Sequence, residues 1–312
     1  MKKSVSIVCL IIALCLFLAG CKSEEYEKAV VFQDAGAYEA AAEIYRELGN
    51  YEDSVARLAQ CETAIAEIEA YNAAVTRYEA AKSSLDEKNA TLDAAMLASQ
   101  ELIDSGDPLD YSLVTALEDS IENAENSKLV IHAMPEETDS ILAICEEMEA
   151  VDYSDILSTM ADDQTALEQS IALFQLVNNP SEEYILECLG RVPGITGAAA
   201  VTEENDPNNK LHKDGSYTAA IYFCHEYISA TVYEGDAVIG RKTDGGGCIE
   251  VFANVEDAVK RDSYLELFDG TILDSGSHTI VGTIVVRTSC KLTASQQDEI
   301  EAKIIEELLS AG

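Results

Sequence analysis

Apolar residues recur at three- and four-residue spacing through the first two thirds of the chain and give way to β-branched runs in the last third. From Glu62 to Ser105 there is no proline or glycine, and Ile65, Ile68, Tyr71, Val75, Tyr78, Ala81, Leu85, Leu92 and Met96 form one stripe. That spacing predicts a long helix with a coiled-coil-like seam, running roughly 65 Å at 1.5 Å per residue. Ser105-Gly106-Asp107-Pro108 ends it, because glycine caps and proline cannot continue a helix. A return helix is predicted through Leu113, Leu117, Ile121 and Ala124, with a corner at Met134-Pro135. Helices follow over 136–151 and 153–177, with Ile141, Ile144, Met148, Ile156, Met160, Leu167, Ile171 and Phe174 inward, up to Asn178-Asn179-Pro180. An antiparallel bundle or hairpin coiled-coil stalk over 62–178 satisfies all these stripes.

Residues 181–312 read differently, with more glycine, threonine, valine and isoleucine. A helix is expected over 181–192 and strands over 196–202, 217–224, 228–233, 248–253 and 278–288. Two further helices are expected, from Val255 to Leu267 and from Ser295 onward. The order implies an α+β domain with a mainly antiparallel sheet covered on one side, ferredoxin-like in spirit. The β-branched run "TIVGTIVVRTS" is placed as one central strand. The fold class expected for the whole chain is therefore multidomain: an all-α helical hairpin or coiled-coil bundle, then an α+β domain.

The N-terminus changes the picture of where the chain resides. Lys2 and Lys3 precede an apolar run from Ser4 to Leu18, too short for a comfortable membrane span, and small residues come next. Leu18-Ala19-Gly20-Cys21 resembles a bacterial lipobox at all four positions. The resemblance implies removal of residues 1–20 as a signal peptide and a diacylglyceryl anchor on Cys21, which holds the protein on the extracytoplasmic face of a cell membrane. Two acyl chains anchor stably where one barely does. Within 21–61, Gly36-Ala37-Tyr38-Glu39 and Gly49-Asn50-Tyr51-Glu52 repeat a turn-then-helix pattern, and Tyr38, Ala41, Ala42 and Tyr45 share a helical face. This stretch resembles the turn and second helix of one tetratricopeptide repeat. One unit makes no concave peptide groove, so it is read as a hairpin capping the long helical region that begins at residue 62. The block from Val201 to Gln297 resembles a module of uncharacterised surface lipoproteins of Gram-positive gut bacteria, a family that carries no assigned activity.

The net charge of −38, from 58 acidic and 20 basic residues, argues against nucleic acid and against broad docking on anionic lipid. Six cysteines lie beyond Cys21: Cys61, Cys145, Cys188, Cys224, Cys248 and Cys290. They contain no C-x-x-C pair; export permits disulfides, but sequence cannot choose among the pairings. Cys61, Cys145 and Cys188 fall on apolar helical faces and read as small buried hydrophobes. The four histidines lack metal-ligand spacing, and no nucleophile elbow or phosphate loop is present. No metal, cofactor or catalytic residue is predicted. Two loops draw attention. Loop 202–217 gathers Glu204, Asp206, Asn208, Lys213 and Asp214; loop 241–250 holds Lys242, Asp244, Gly245 and Gly246. Their glycines and acids could meet a ligand, or be turn chemistry and a close approach to another strand. The function expected is a non-enzymatic lipoprotein for binding, scaffolding or adhesion, which presents the α+β domain to an envelope protein or polymer. The alternative is an envelope enzyme with a site in those two loops. A solute-binding lipoprotein would need a second α/β lobe, for which 62–178 is too helical.

Overall fold

The computed structural model describes residues 22–131, 133–271 and 274–310. The leader and the Cys21 thiol fall outside them, as do His132, Ile272 and Leu273. Helices lead and a five-stranded sheet comes after them, which is the fold class read from the hydrophobic pattern. Packing divides the described residues into two units, one falling within 1–93 and 127–153, the other within 94–126 and 154–312.

In the first unit lie α1 (residues 22–34), α2 (Tyr38–Leu48), the greater part of α3 (Ser54–Ile103) and α5 (Thr138–Ala150); α4, Ser112–Ser127, precedes α5 in the chain but belongs almost wholly to the second unit. The stretch around 54–61, expected as a separate short helix, is instead the opening of the 50-residue α3. Gly36 (φ +77°) supplies the left-handed residue that turns α1 into α2. Ala41, Ala42 and Tyr45 of α2 then pack with Ala29 and Cys61. Further along, Ala74, Tyr78, Ala81 and Leu85 of α3 meet Ile141, Cys145 and Met148 of α5. Each is a run at three- and four-residue spacing, and each fully buried large side chain contributes about 1.5–3 kcal/mol. Arg77 and Glu149 add an exposed two-point ion pair at 2.9 and 2.6 Å.

In the second unit lie the remainder of α3, α4, α6 (Ser154–Leu176), α7 (Glu182–Arg191) and the sheet domain. Its strands are β1 Ile195–Ala200, β2 Ala219–His225, β3 Gly246–Val251, β4 His278–Val281 and β5 Ile284–Thr288. They lie in the order β1-β2-β3-β5-β4 with every neighbouring pair antiparallel. Helix α8 (Asp236–Ile239) lies between β2 and β3, α9 (Val255–Glu266) between β3 and β4, and α10 (Ala294–Leu308) closes the chain. β3, α9 and β4 form a split β-α-β unit with β5 inserted between the two strands.

Three expectations are corrected here. The sheet is covered on both faces, not one. Ala219, Ile221 and Phe223 of β2 face Ile185 and Leu189 of α7 and Ile300, Ile304 and Leu308 of α10. Ala220, Tyr222 and Cys224 face Val238 of α8 and Ala258 and Leu265 of α9. Second, the 278–288 run is a hairpin. Gly282 (φ +57°) makes the two-residue turn that sends β5 back between β3 and β4. The turn docks through Thr283, whose N–H donates to the Val177 carbonyl at 2.9 Å. Third, 228–233 is not a strand. The His225 ring accepts from the Tyr227 N–H and the Ser229 hydroxyl from the Thr231 N–H, each at 3.2 Å, bonds that compete with a ladder.

All six described cysteines are free thiols; only Cys290 is exposed. Cys61, Cys145 and Cys188 are buried as their helical faces predicted.

Candidate functional site

Loop 202–217 is built around one carboxylate. Asp206 Oδ1 accepts from the Asn208 N–H at 3.0 Å, and Oδ2 accepts from the N–H groups of Lys210 and Leu211 at 2.6 and 2.9 Å. The Tyr217 hydroxyl reaches both oxygens at 2.8 Å. Burial alone would push the Asp206 carboxyl up; the backbone donors of Lys210, Asn208 and Leu211, with Tyr217, outweigh it and hold the group below its ordinary range. Burial first, and then the bond to Asp206, pushes the Tyr217 phenol up. Asp206 thus folds the loop onto the sheet domain, and Asn208 Nδ2 adds a bond to the Tyr222 hydroxyl at 3.2 Å.

Opposite this loop stands α9. Its Asn254 cap accepts from the Asp257 N–H at 2.9 Å, and Ala258 and Leu265 turn inward. Lys260 and Tyr264 are left on the outer side one turn apart, while Arg261, between Ala258 and Leu265 at three- and four-residue spacing, is half-buried. Between loop and helix is a depression of about 440 Å³ lined by Asn208, Lys210, Lys213, Asp214, Tyr217 and Ser216 on one side and Lys260, Arg261, Tyr264 and Phe252 on the other. Four cations converge there on a chain whose net charge is −38.

The cations are not equally committed. Lys213 Nζ donates to the Asn209 carbonyl. Lys260 pairs with Glu256 at 2.8 Å and Asp257 at 3.3 Å; Lys260 and Glu256 are exposed, so that pair exchanges readily with solvent, while Asp257 is half-buried. Lys210 makes no ion pair among the described residues. Arg261 is fixed. Its Nε and Nη2 hold Glu250 at 2.6 and 2.8 Å, and the side chain also lines the depression. Glu250 itself is fully buried on β3 and also accepts from Arg287 Nη1 at 2.7 Å. Burial raises its carboxyl, but the two guanidiniums more than reverse that, so it stays charged. Two arginines on one carboxylate leave this buried trio with one net positive charge beneath the depression. The Tyr264 ring carries the Arg261 guanidinium 5.6 Å from its centroid and meets Phe268 edge-on at 5.1 Å.

The sequence-predicted residues divide between two places. Asn208, Lys213 and Asp214 line the depression, with Asp206 as its internal support. Glu204 is exposed and outside it. Lys242, Asp244, Gly245 and Gly246 lie elsewhere, because Ala219 pairs with Val251 at one end of β2 and Cys224 with Gly246 at the other. At about 3.4 Å per residue the two loops are separated by about 20 Å along β2. Asp244 there meets Lys291 at 4.0 Å, in the open. The glycine run is a close approach to protein, not a cradle. A Cβ on Gly247 would stand 2.1 Å from the Arg287 carbonyl oxygen and 2.3 Å from the Phe223 ring.

Sequence reading missed Lys210, Tyr217, Phe252 and the whole contribution of α9. The available signal was the dibasic Lys260-Arg261 with an aromatic one turn later in an otherwise acidic helix. A second depression is lined by Cys290 and His278. Both His278 ring nitrogens face carboxylates, Asp262 at 2.6 Å and Asp269 at 3.3 Å, so neither is left to serve the thiol as a base. Among the described residues no group of His, Cys, Asp and Glu is arranged to hold a metal ion, and no helix is long and apolar enough to cross a membrane.

No protein family, curated protein or solved structure matches the chain.

Proposed function

We propose that this chain is a membrane-anchored, extracytoplasmic lipoprotein that works by binding rather than catalysis, and that its α+β domain engages an envelope protein or polymer through the depression between loop 202–217 and α9. The observation that carries the reading is the convergence of Lys210, Lys213, Lys260 and Arg261 beside Tyr264 on a chain of net charge −38. A strongly acidic chain has no general reason to gather cations, and these are held in place by a loop ordered on Asp206 and a guanidinium ordered on Glu250. Preorganised polar groups around an aromatic wall lower the entropic cost of binding. The lipobox at Leu18-Ala19-Gly20-Cys21 supports the location, with Cys21 as the lipidated first residue of the mature protein.

Two measurements test this. Mass spectrometry of the mature N-terminus should find a diacylglyceryl group on Cys21; an unmodified chain that still begins at Met1 would refute the anchor. The intact protein, in detergent, should be retained on isolated cell-envelope material, and Lys210→Glu with Lys213→Glu should abolish retention at an unchanged melting temperature.

A further inference from the structure

The composition of the depression specifies more than an anion. A site for a bare inorganic ion would need only donors, yet Asp214 stands on the rim among the cations, and Asn208 and Ser216 offer groups that both donate and accept. A carboxylate acceptor beside lysines repels a bare phosphate but suits a ligand that also carries hydroxyl groups. Tyr264, more than half exposed, supplies an aromatic wall that a bare ion would not use, whereas a sugar ring has C–H faces that pack on an aromatic ring. The volume of about 440 Å³ falls within the range of small-molecule pockets. Long polyphosphate backbones are disfavoured by the net charge of −38, which acts beyond the site itself.

From these features we infer that the depression takes a phosphorylated sugar, one unit at a time. This inference rests on the binding reading above and names its ligand class. Lys210 and Lys213 meet the phosphate with the Arg261 charge beside them, Lys260 exchanges Glu256 for it, and Asp214, Asn208 and Ser216 meet the hydroxyl groups. The sugar ring packs on Tyr264. Recognition is non-covalent, and no bond is made or broken.

The test is calorimetric titration of the full-length protein in detergent with four probes: glucose 1-phosphate, its methyl phosphodiester, glucose and inorganic phosphate. The monoester should bind at least tenfold more tightly than glucose or phosphate alone. Binding should weaken about fivefold in Lys210→Ala, the scale of one exposed charge contact, and similarly in Tyr264→Ala. It should also fall as salt rises. A diester that binds comparably identifies a unit within an envelope polymer as the source, and a diester that fails identifies a free sugar phosphate; both keep the shared chemistry. Phosphate that binds as tightly as the monoester, with no effect of Tyr264→Ala, overturns the inference in favour of a simple ion site. Glucose that binds as tightly overturns the anionic half, and silence from all four probes overturns it entirely. If the envelope material is still retained through Lys210 and Lys213 while all four probes are silent, this inference falls and the binding reading stands.

Discussion

Arg261 on α9 grips Glu250 on β3 through two hydrogen bonds, Nε to Oε2 at 2.6 Å and Nη2 to Oε1 at 2.8 Å. Glu250 has no exposed surface, and Arg287 shares its Oε1 at 2.7 Å. Removal of the carboxylate strands two partly or fully buried guanidiniums. Glu250→Ala should therefore cost about 3–5 kcal/mol of stability, read as a lower urea midpoint. Glu250→Ala combined with Arg261→Ala should cost less than the sum of the single changes, because the second removes a charge the first has left unpaired. Additive losses would mean that the grip contributes nothing.

Asp206 should behave as a loop organiser. It accepts three backbone N–H groups and the Tyr217 hydroxyl. Asp206→Ala should cost about 2 kcal/mol and should raise hydrogen exchange at Lys210 and Leu211, with little change in the amides of α10. Uniform exchange across the domain would contradict the local role.

The same two carboxylates contribute to the acid response of the fold. Both are held below their ordinary values in the folded chain, Glu250 against burial by Arg261 and Arg287, and Asp206 against burial by its backbone donors. Their contribution to stability is complete above the unfolded carboxylate range near pH 4 and is lost as pH falls through the lower folded-state values. The urea midpoint should begin to fall below about pH 6.5, because burial of the His225 ring disfavours its charged form in the folded chain, and fall more steeply below about pH 4 as the two carboxylates protonate. Asp206→Asn should flatten part of that acid limb. An unchanged limb in this variant would place the acid sensitivity elsewhere.

Two glycines should respond differently to alanine. At Gly247 the added Cβ would meet the Arg287 carbonyl oxygen at 2.1 Å and the Phe223 ring at 2.3 Å, so β3 or β5 must move. Overpacking of this kind costs about 1–3 kcal/mol or more. At Gly36 nothing lies within 4 Å and only φ +77° opposes a side chain, which costs about 1–2 kcal/mol. Thermal melts should rank Gly247→Ala as the more damaging.

Periodicity made the helices legible. Spacing alone places Ile141, Cys145 and Met148 inward, and they are buried. The hairpin at Gly282 was hidden because residues on both sides are equally β-branched, and only the single glycine marks the turn. Coverage of both sheet faces was hidden because the pattern of α9 does not say which face it packs on, and α8 has four residues, too few for a periodic signal. The depression was half visible. Loop chemistry pointed to Asn208, Lys213 and Asp214, but Lys260, Arg261 and Tyr264 join them only through the β3–α9 connection, a relation of tertiary structure that no local window contains.

The central claim is that the cations between loop 202–217 and α9 form a binding surface for the cell envelope. It is tested most directly by retention of the intact protein on envelope material, wild type against Lys210→Glu with Lys213→Glu, across a salt series. Both lysines are exposed, so the variant should melt as the wild type does. The account predicts salt-sensitive retention of the wild type and none of the variant. Equal retention of the two proteins at every salt concentration would contradict it.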